Sequence, residues 1–264
     1  MGIIDIHTHA FPDELAERAM KHLQSEADWK AALDGRVSSL LASMDESNID
    51  VSVVCPIATK PEQVEGILQW CLSIHSDRIM PFPSIHPLTK KPEKWLRQFR
   101  KAGFAGIKLH PMYQDFQADD PRVMPIYKAA AGEGLAVLIH CGRDVAFPPD
   151  DDRATPARVR HVLEAVPALK LIATHMGGWR MWDESDRELV GGRAWLETSF
   201  SLQELPASKA LAMIQRHGTD KVMFGTDSPW ADQSREIERV RGLGLPPADL
   251  EKVLFANAAR LLSI

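Results

Sequence analysis

Two histidines spaced one residue apart, near the start of the chain, are the first residues that could do chemistry. The run Ile3-Ile4-Asp5-Ile6-His7-Thr8-His9 reads as a short buried strand that ends in two imidazoles. Residues i and i+2 of a strand project from the same face, so His7 and His9 should point the same way. Such a pair is either half of a zinc-type ligand set or a pair of structural, hydrogen-bonded histidines.

Further ligand-type residues follow other apolar runs. The ends of the predicted strands carry Lys108, His110, His140, His175 and Asp227. If these strands are parallel and close into a barrel, their carboxyl ends meet at one mouth, where barrel enzymes have their active sites. Imidazole and carboxylate suit zinc, and a bound cation lowers the pKa of water toward neutrality. The combined pattern therefore predicts a metal-dependent site.

Eight short apolar runs alternate with helical patterns and must position these residues. The predicted strands cover 3–9, 51–55, 79–84, 105–110, 136–140, 169–175, 194–198 and 221–227. Most are continuously hydrophobic, as expected of parallel strands covered by helices. Helical patterns at 92–103, 121–134 and 156–166 each begin with proline. The repetition predicts one α/β domain over residues 1–264, a (β/α)8 TIM barrel. A doubly wound open sheet is the alternative.

Two segments are additions to the eight β/α units of a minimal barrel. Residues 13–35 form an insertion after the first strand, and Leu15, Ala19 and Leu23 give it an amphipathic pattern. An insertion there would sit over the mouth, either as a lid or as passive packing. Residues 246–264 add one or two helices after the eighth unit.

Composition and charge limit the classes of protein to which the chain can belong. The 264 residues are 45% hydrophobic and 25% charged, which is ordinary for a globular domain with a full core. A net charge of −5 argues against nucleic acid or an anionic membrane as partner. No apolar run approaches the roughly 20 residues of a membrane span, and no signal peptide is evident. Three cysteines without Cys-X-X-Cys spacing read as reduced thiols. We expect a cytoplasmic protein that acts on a small molecule and could form a homodimer.

Six motifs together resemble a known family. They are DIHTH at 5–9, GIKLHP at 106–111, VLIH at 137–140, THMGG at 174–178, FGTDSP at 224–229 and NAARLL at 257–262. The chain resembles the amidohydrolase superfamily, specifically the amidohydrolase-related branch that contains aminocarboxymuconate semialdehyde decarboxylase. The resemblance implies that His7, His9, His140 and Asp227 hold one divalent metal ion. It places His175 beside the metal or the activated water.

The residue types suggest roles for this set. Asp227 can accept a proton from the water and pass it to a leaving group, and His175 can polarise a carbonyl or stabilise negative charge. Zinc is the first expectation, and Mn²⁺, Fe²⁺ or Co²⁺ would also suit these ligands. In two-metal relatives a carboxylated lysine on the fourth strand bridges the ions. In the single-metal case that we favour, Lys108 would pair with a substrate carboxylate or Asp227, or form a buried ion pair.

Several side chains near the predicted mouth could bind substrate. The expected set is Lys108, His110, Arg143, Trp179 and Arg180. An arginine can grip a carboxylate with two parallel hydrogen bonds, and an indole can stack on a planar substrate. Ordinary loop packing would explain Arg143, Trp179 and Arg180 equally well.

Four functions are compatible with these residues. The leading prediction is a metal-dependent hydrolase that uses an activated water on a small amide, ester or lactone. The runner-up is a metal-dependent, non-oxidative decarboxylase of an aromatic or enol carboxylic acid, which would use almost the same residues. A phosphoesterase or nuclease fits less well, because such relatives carry a glutamate on the fourth strand. A catalytically dead scaffold fits poorly, because every expected ligand position is occupied.

Overall fold

A computed structural model describes residues 2–264 and shows eight short parallel strands. Each lies within one of the eight predicted runs. The strands are β1 (Ile4–Thr8), β2 (Val51–Val54), β3 (Ile79–Pro81), β4 (Gly106–Leu109), β5 (Ala136–Ile139), β6 (Lys170–Ala173), β7 (Trp195–Glu197) and β8 (Val222–Met223).

Helices alternate with the strands. They are α1 (Asp13–Ala27), α2 (Val37–Ser47), α3 (Val64–Ile74), α4 (Pro92–Lys101), α5 (Met124–Glu133), α6 (Pro156–Ala165), α7 (Thr174–Gly177), α8 (Trp182–Glu188), α9 (Ala207–His217), α10 (Gln233–Arg241), α11 (Pro247–Glu251) and α12 (Asn257–Leu262). Of these, α7 is a short turn rather than a regular α-helix, because His175 and Met176 have left-handed backbone with φ of 59° and 55°. A π-helical stretch, Lys252–Ala256, joins α11 to α12. None of the helices within residues 2–264 combines the length and apolarity needed to cross a bilayer.

The strands pair in chain order, β1 to β3 and β4 to β8, and the two sheets meet at both seams. At one seam, Lys108 N–H donates to the Pro83 carbonyl at 3.1 Å. At the other, Ile6 N–H donates to the Phe224 carbonyl at 3.0 Å. Sequential parallel pairing with helical crossovers is the barrel topology, so the (β/α)8 fold is confirmed and the open-sheet alternative is wrong.

A buried carboxylate reinforces the seam between β1 and β8. Asp5 accepts hydrogen bonds from Thr226 N–H at 3.0 Å, the Thr226 hydroxyl at 2.6 Å and the Gln233 amide at 2.8 Å. Burial raises the pKa of Asp5 to about 7, while these hydrogen bonds act in the opposite direction. The network links β1, which carries His7, to the segment after β8, which carries Asp227.

Apolar side chains fill the space inside and around the sheet. Phe82, Leu138, Ile172 and Met223 belong to one buried cluster, which also includes residues of α12. A Cβ at Gly106 would lie 2.5 Å from the Phe82 ring, so only glycine lets this aromatic ring pack against β4. The dense core below the mouth gives the strand ends a fixed scaffold.

The two segments beyond a minimal barrel are both ordered. The insertion forms α1 and a return loop, and the Phe11 N–H donates to the Gly35 carbonyl at 2.8 Å where the segment closes on itself. The C-terminal segment forms α11, the π-helical stretch and α12. Asn257 attaches it to the barrel by donating to the Thr219 and Val222 carbonyls, each at 2.7 Å.

Candidate metal centre and its cavity

Three predicted ligands converge at the mouth of the barrel. The Nε2 atoms of His7 and His9 lie 3.2 Å apart. Asp227 Oδ1 lies 3.1 Å from His9 Nε2 and 3.4 Å from His7 Nε2. The three atoms come from strands at opposite ends of the chain, as the barrel topology requires.

The partners of the other ring nitrogens define which atoms carry lone pairs. His7 Nδ1 lies 3.2 Å from Glu197 Oε1, and His9 Nδ1 lies 2.7 Å from the Cys55 carbonyl oxygen. Both Nδ1 atoms therefore carry protons and both Nε2 atoms carry lone pairs. Burial, followed by the charge of Lys108, holds the pKa of His7 well below 6.5, which keeps its imidazole neutral.

Two nitrogen lone pairs and a carboxylate oxygen thus face one another within 3.4 Å. Such acceptors repel one another unless a cation or proton donors lie between them. Lys108 donates to His7 Nε2 at 2.8 Å, but His9 Nε2 and Asp227 Oδ1 still face each other as acceptors. This donor set of two imidazoles and one carboxylate fits a divalent cation of the zinc type.

His140 and His175 form a second pair beside this group. His175 Nδ1 donates to the Ser199 carbonyl at 2.9 Å, and His140 Nε2 donates to the Arg143 carbonyl at 3.0 Å. Their remaining nitrogens, His175 Nε2 and His140 Nδ1, face each other at 3.1 Å as another pair of acceptors. His140 does not join His7, His9 and Asp227 in one group of atoms all within 4.8 Å. The structure therefore brings three of the four expected ligands together and pairs the fourth with His175.

Glu197 is a buried residue of the centre that sequence reasoning missed. Its Oε1 faces His7 Nδ1 and accepts from the His175 backbone N–H at 2.9 Å and the Ser199 hydroxyl at 2.7 Å. A Cβ at Gly225 would lie 2.4 Å from Glu197 Oε2, so the chain needs glycine where the segment after β8 passes this carboxylate. A carboxylate behind a ligating imidazole fixes its tautomer and orientation. Its position at the end of β7 was the only sequence signal.

Lys108 lies fully buried at the floor of the mouth. Its Nζ contacts His7 Nε2 at 2.8 Å, so of the partners that we expected for Lys108 the pairing with Asp227 is not seen in the described residues. Burial lowers the pKa of Lys108, while Cys55, Asp227 and Glu197 act in the opposite direction.

His110 lies next to the second histidine pair. Its ring stacks on the His140 ring with centroids 4.2 Å apart and an angle of 18° between the planes. His110 Nε2 lies 3.3 Å from a carboxylate oxygen of Asp144, a loop residue that no strand-end pattern identified. Two stacked parallel rings cannot direct their in-plane lone pairs at one ion, so this group is a poorer metal site than the first.

These residues form one pole of a cavity of about 710 Å³. The remaining wall is largely apolar and comes from α1, α3 and the loops after the strands. Its aromatic members are Phe11, Trp29, Trp70, Tyr113, Trp179, Phe200 and Trp230. The insertion thus covers part of the mouth, since Leu15, Ala19 and Leu23 all line the cavity.

The expected substrate-binding residues fall into two groups. Lys108, His110, Arg143 and Trp179 line the cavity. Arg180 does not: its guanidinium donates to both Glu204 carboxylate oxygens at 2.7 Å and stacks 4.0 Å from the Trp179 ring. The expectation for Arg180 therefore differs from the structure, because a surface carboxylate satisfies the charge that sequence alone left unassigned.

Left-handed backbone recurs at the ends of β6, β7 and β8. His175, Phe200 and Asp227 have φ of 59°, 51° and 65°, respectively. Non-glycine residues adopt this region at a cost, and they cluster at functional sites where surrounding structure holds them. At His175 and Asp227 the strained backbone directs the side chain into the mouth.

Comparisons with solved structures find the same barrel fold. An uncharacterised TIM-barrel protein from Bordetella bronchiseptica matches with a TM-score of 0.76 and 19% identity, over 100% of this chain and 99% of that one. A 5-carboxyvanillate decarboxylase from Sphingomonas paucimobilis matches with a TM-score of 0.70 and 16% identity, over 100% and 99%. A probable 2-pyrone-4,6-dicarboxylic acid hydrolase from Acinetobacter baumannii matches with a TM-score of 0.68 and 15% identity, over 100% of both chains.

Sequence comparison adds the family. No curated protein matches the chain significantly in sequence. A family model described as amidohydrolase matches residues 4–264, almost the entire chain. Together with the barrel and the converging histidines and aspartate, this match shows that the chain belongs to the amidohydrolase superfamily of metal-dependent enzymes.

Proposed function

We propose that this enzyme is a metal-dependent hydrolase of an ester, lactone or amide. The observation that carries the proposal is the exposure of the centre. The side chains of His9 and Asp227 are 12% and 14% exposed to the cavity, whereas His7 is enclosed at 1%. Water therefore reaches the carboxylate that lies against both imidazoles.

The residues of the centre can then be assigned separate roles. His7, His9 and Asp227 would hold the cation, with His140 the fourth ligand we propose. A divalent ion here, zinc first, would lower the pKa of a water molecule toward neutrality. Asp227 would accept the proton of that water and deliver it to the leaving group. Glu197 keeps the His7 lone pair directed at the centre by accepting from Nδ1.

His175 would handle charge on the substrate. A cation bound at His140 Nδ1 would remove the repulsion between this lone pair and that of His175 Nε2. His175 would then polarise a carbonyl or stabilise the negative charge that develops on its oxygen. Arg143, exposed on the cavity wall, would bind a carboxylate if the substrate has one.

Decarboxylation is the second candidate. Lys108 and Arg143 are two basic side chains on the cavity wall, which would favour an acid as substrate. One of the structural neighbours is a 5-carboxyvanillate decarboxylase. The same aspartate could deliver its proton to carbon instead of to a leaving oxygen or nitrogen. Hydrolysis leads because water can reach Asp227.

One experiment separates the two. The purified enzyme, with its metal content measured, is incubated in ¹⁸O-labelled water with lactones, aryl esters, amides and hydroxybenzoates. We expect ¹⁸O in the product acid, and its loss in Asp227→Asn but not in His161→Gln, a surface histidine of α6. Release of carbon dioxide without ¹⁸O incorporation would replace hydrolysis by decarboxylation.

We place the enzyme in the cytoplasm. This rests on its three cysteines, Cys55, Cys71 and Cys141, which are all buried and unpaired in the described residues.

A further inference from the structure

The apolar wall of the cavity is far larger than the pole that carries the chemistry. A volume of about 710 Å³ lies in the range of pockets that enclose drug-sized ligands, roughly 300–1,000 Å³. Four of the seven tryptophans in the chain line this space. A compact acid of one ring would leave much of the wall uncovered.

Helix α1 contributes a stripe of apolar side chains to this wall. Leu15, Ala19 and Leu23 recur every four residues and all line the cavity. Leu15 is 39% exposed and Ala19 and Leu23 are half-buried, so the barrel leaves part of the stripe accessible. From Leu15 to Leu23 the helix rises about 12 Å, at 1.5 Å per residue. On α3, Ile67 and Trp70 line the same cavity.

Charge on the wall limits what the ligand carries. The lining includes four carboxylates, on Glu14, Glu62, Asp144 and Asp227. It includes two cationic side chains, Lys108 and Arg143. Lys108 already contacts His7. Within residues 2–264 the Arg143 guanidinium makes no ion pair, unlike Arg153, Arg158 and Arg180. Because Lys108 lies at the histidine pole, Arg143 is the one cation elsewhere among the described lining residues that is free to meet a substrate carboxylate.

We propose that the natural substrate is a neutral or singly charged molecule with an elongated apolar body, which lies against the Leu15–Ala19–Leu23 stripe. Its reactive carbonyl would sit at the histidine pole. The continuity of one cavity from Asp227 to Leu23 supports this placement, as does the excess of carboxylates (Glu14 and Glu62) over the one cation, Arg143, outside the metal pole. A compact dicarboxylate would leave the stripe bare, and a second carboxylate outside the pole would meet only Arg143. This inference rests on the proposed function only for the position of the reactive group.

Binding of unreactive ligands tests the inference without turnover. Isothermal titration of the purified metal-bound enzyme would use 4-alkylbenzoates from methyl to hexyl, with isophthalate as the dicarboxylate. Complete burial of each added methylene should tighten binding about fourfold, and isophthalate should bind more weakly than any alkylbenzoate. An affinity that does not change with alkyl length, or isophthalate as the tightest ligand, would overturn the inference.

A matched pair of variants assigns the effect to the stripe. Leu15→Asp places a charge on the stripe at an exposed position, and should lower the affinity for hexylbenzoate at least tenfold. Ser25→Asp places the same charge on the exposed face of the same helix, outside the cavity, and should leave the affinity unchanged. Equal effects of the two variants would contradict the assignment.

Sedimentation of the same variants tests the other occupant of the stripe, a second copy of the chain. A dimer that Leu15→Asp dissociates, with the dependence on alkyl length unchanged, would overturn the inference. Persistence of that dependence in an enzyme that hydrolyses none of the ester panel would leave the substrate shape supported and reject only the proposed hydrolysis.

Discussion

The two sides of the cavity are built in opposite ways. At the pole, Glu197 and the carbonyls of Cys55 and Ser199 hold the imidazoles of His7, His9 and His175 by one nitrogen each. These groups sit on strand ends above a dense core. On the wall, α1 presents aliphatic side chains to the cavity, and Leu15 is 39% exposed.

This difference separates the residues that would carry out the reaction from those that would select the substrate. A reacting group must be held within a fraction of an ångström, and a strand end with a hydrogen-bonded support can do so. An apolar wall needs only shape and area, so a helix on an insertion suffices. A change at the pole should therefore reduce the rate, and a change on the wall should alter which molecule binds.

The largest effect is expected from Asp227→Asn. The amide keeps the shape of the carboxylate but cannot accept the proton of the attacking water. We expect kcat to fall about 10²–10⁴-fold, the range for loss of a general base, with the fold retained by circular dichroism. Elemental analysis should show a reduced metal content. Full metal content together with full activity would remove Asp227 from the centre.

A smaller effect at the same pole is expected from Glu197→Gln. The glutamine amide faces the Ser199 N–H that now donates to Oε2 at 2.6 Å, which disturbs the support of His7. Metal affinity, measured by competition with a chromogenic chelator, should weaken about 10–100-fold. Glu204→Gln, which changes an exposed glutamate outside the cavity, is the control. If Glu197→Gln binds metal like the wild type, Glu197 does not position the ligand.

On the wall, Ile67→Ala should act on binding alone. Removing one or two methylenes of apolar contact, at about 0.8 kcal/mol each, should raise KM about fourfold to fifteenfold at nearly constant kcat. Leu72→Ala on the same helix changes an exposed leucine outside the cavity and should leave both constants unchanged. A fall in kcat as large as that of Asp227→Asn would erase the distinction between pole and wall.

The smallest effect concerns a buried carboxylate outside both regions. Burial raises the pKa of Glu236 to about 7 from 4.5, and no hydrogen-bond partner within the described residues reaches its Oε2. The folded state therefore binds a proton that the unfolded state has released, and stability is lost as pH rises from 4.5 through 7.

Glu236→Gln removes this titration. Its Tm relative to the wild type should rise between pH 5 and pH 8, by about 2–4 °C for each kcal/mol recovered. Activity should not change, which would show that burial of a carboxylate alone does not make it functional. A difference in Tm that is constant with pH would contradict the raised pKa.

The sequence carries much of this architecture because the governing rules are local. Eight apolar runs, most of them continuous, predict the strands, and the barrel then brings His7 and Asp227 to one mouth. The insertion was also recognisable from the spacing of Leu15, Ala19 and Leu23. Each of these features follows from periodicity or from a residue type at a strand end.

Other parts depend on which side chains meet across the barrel. Glu197 contacts His7, which lies 190 positions earlier in the chain. Arg180 pairs with Glu204 instead of pointing into the cavity. The pairing of His140 with His175 depends on the partner of each ring nitrogen. A pattern along one chain does not contain these distances.

The seam closed by Asp5 has a consequence for biosynthesis. Asp5 and its partner Thr226 are 221 residues apart, and His7 and Asp227 are their near neighbours. A ribosome therefore releases the first imidazoles long before the carboxylate that completes the triad exists. Under the proposed ligand assignment, His7, His9 and Asp227 can bind a cation together only after the eighth strand has been translated. The bound cation would then link the first and last strands of the barrel.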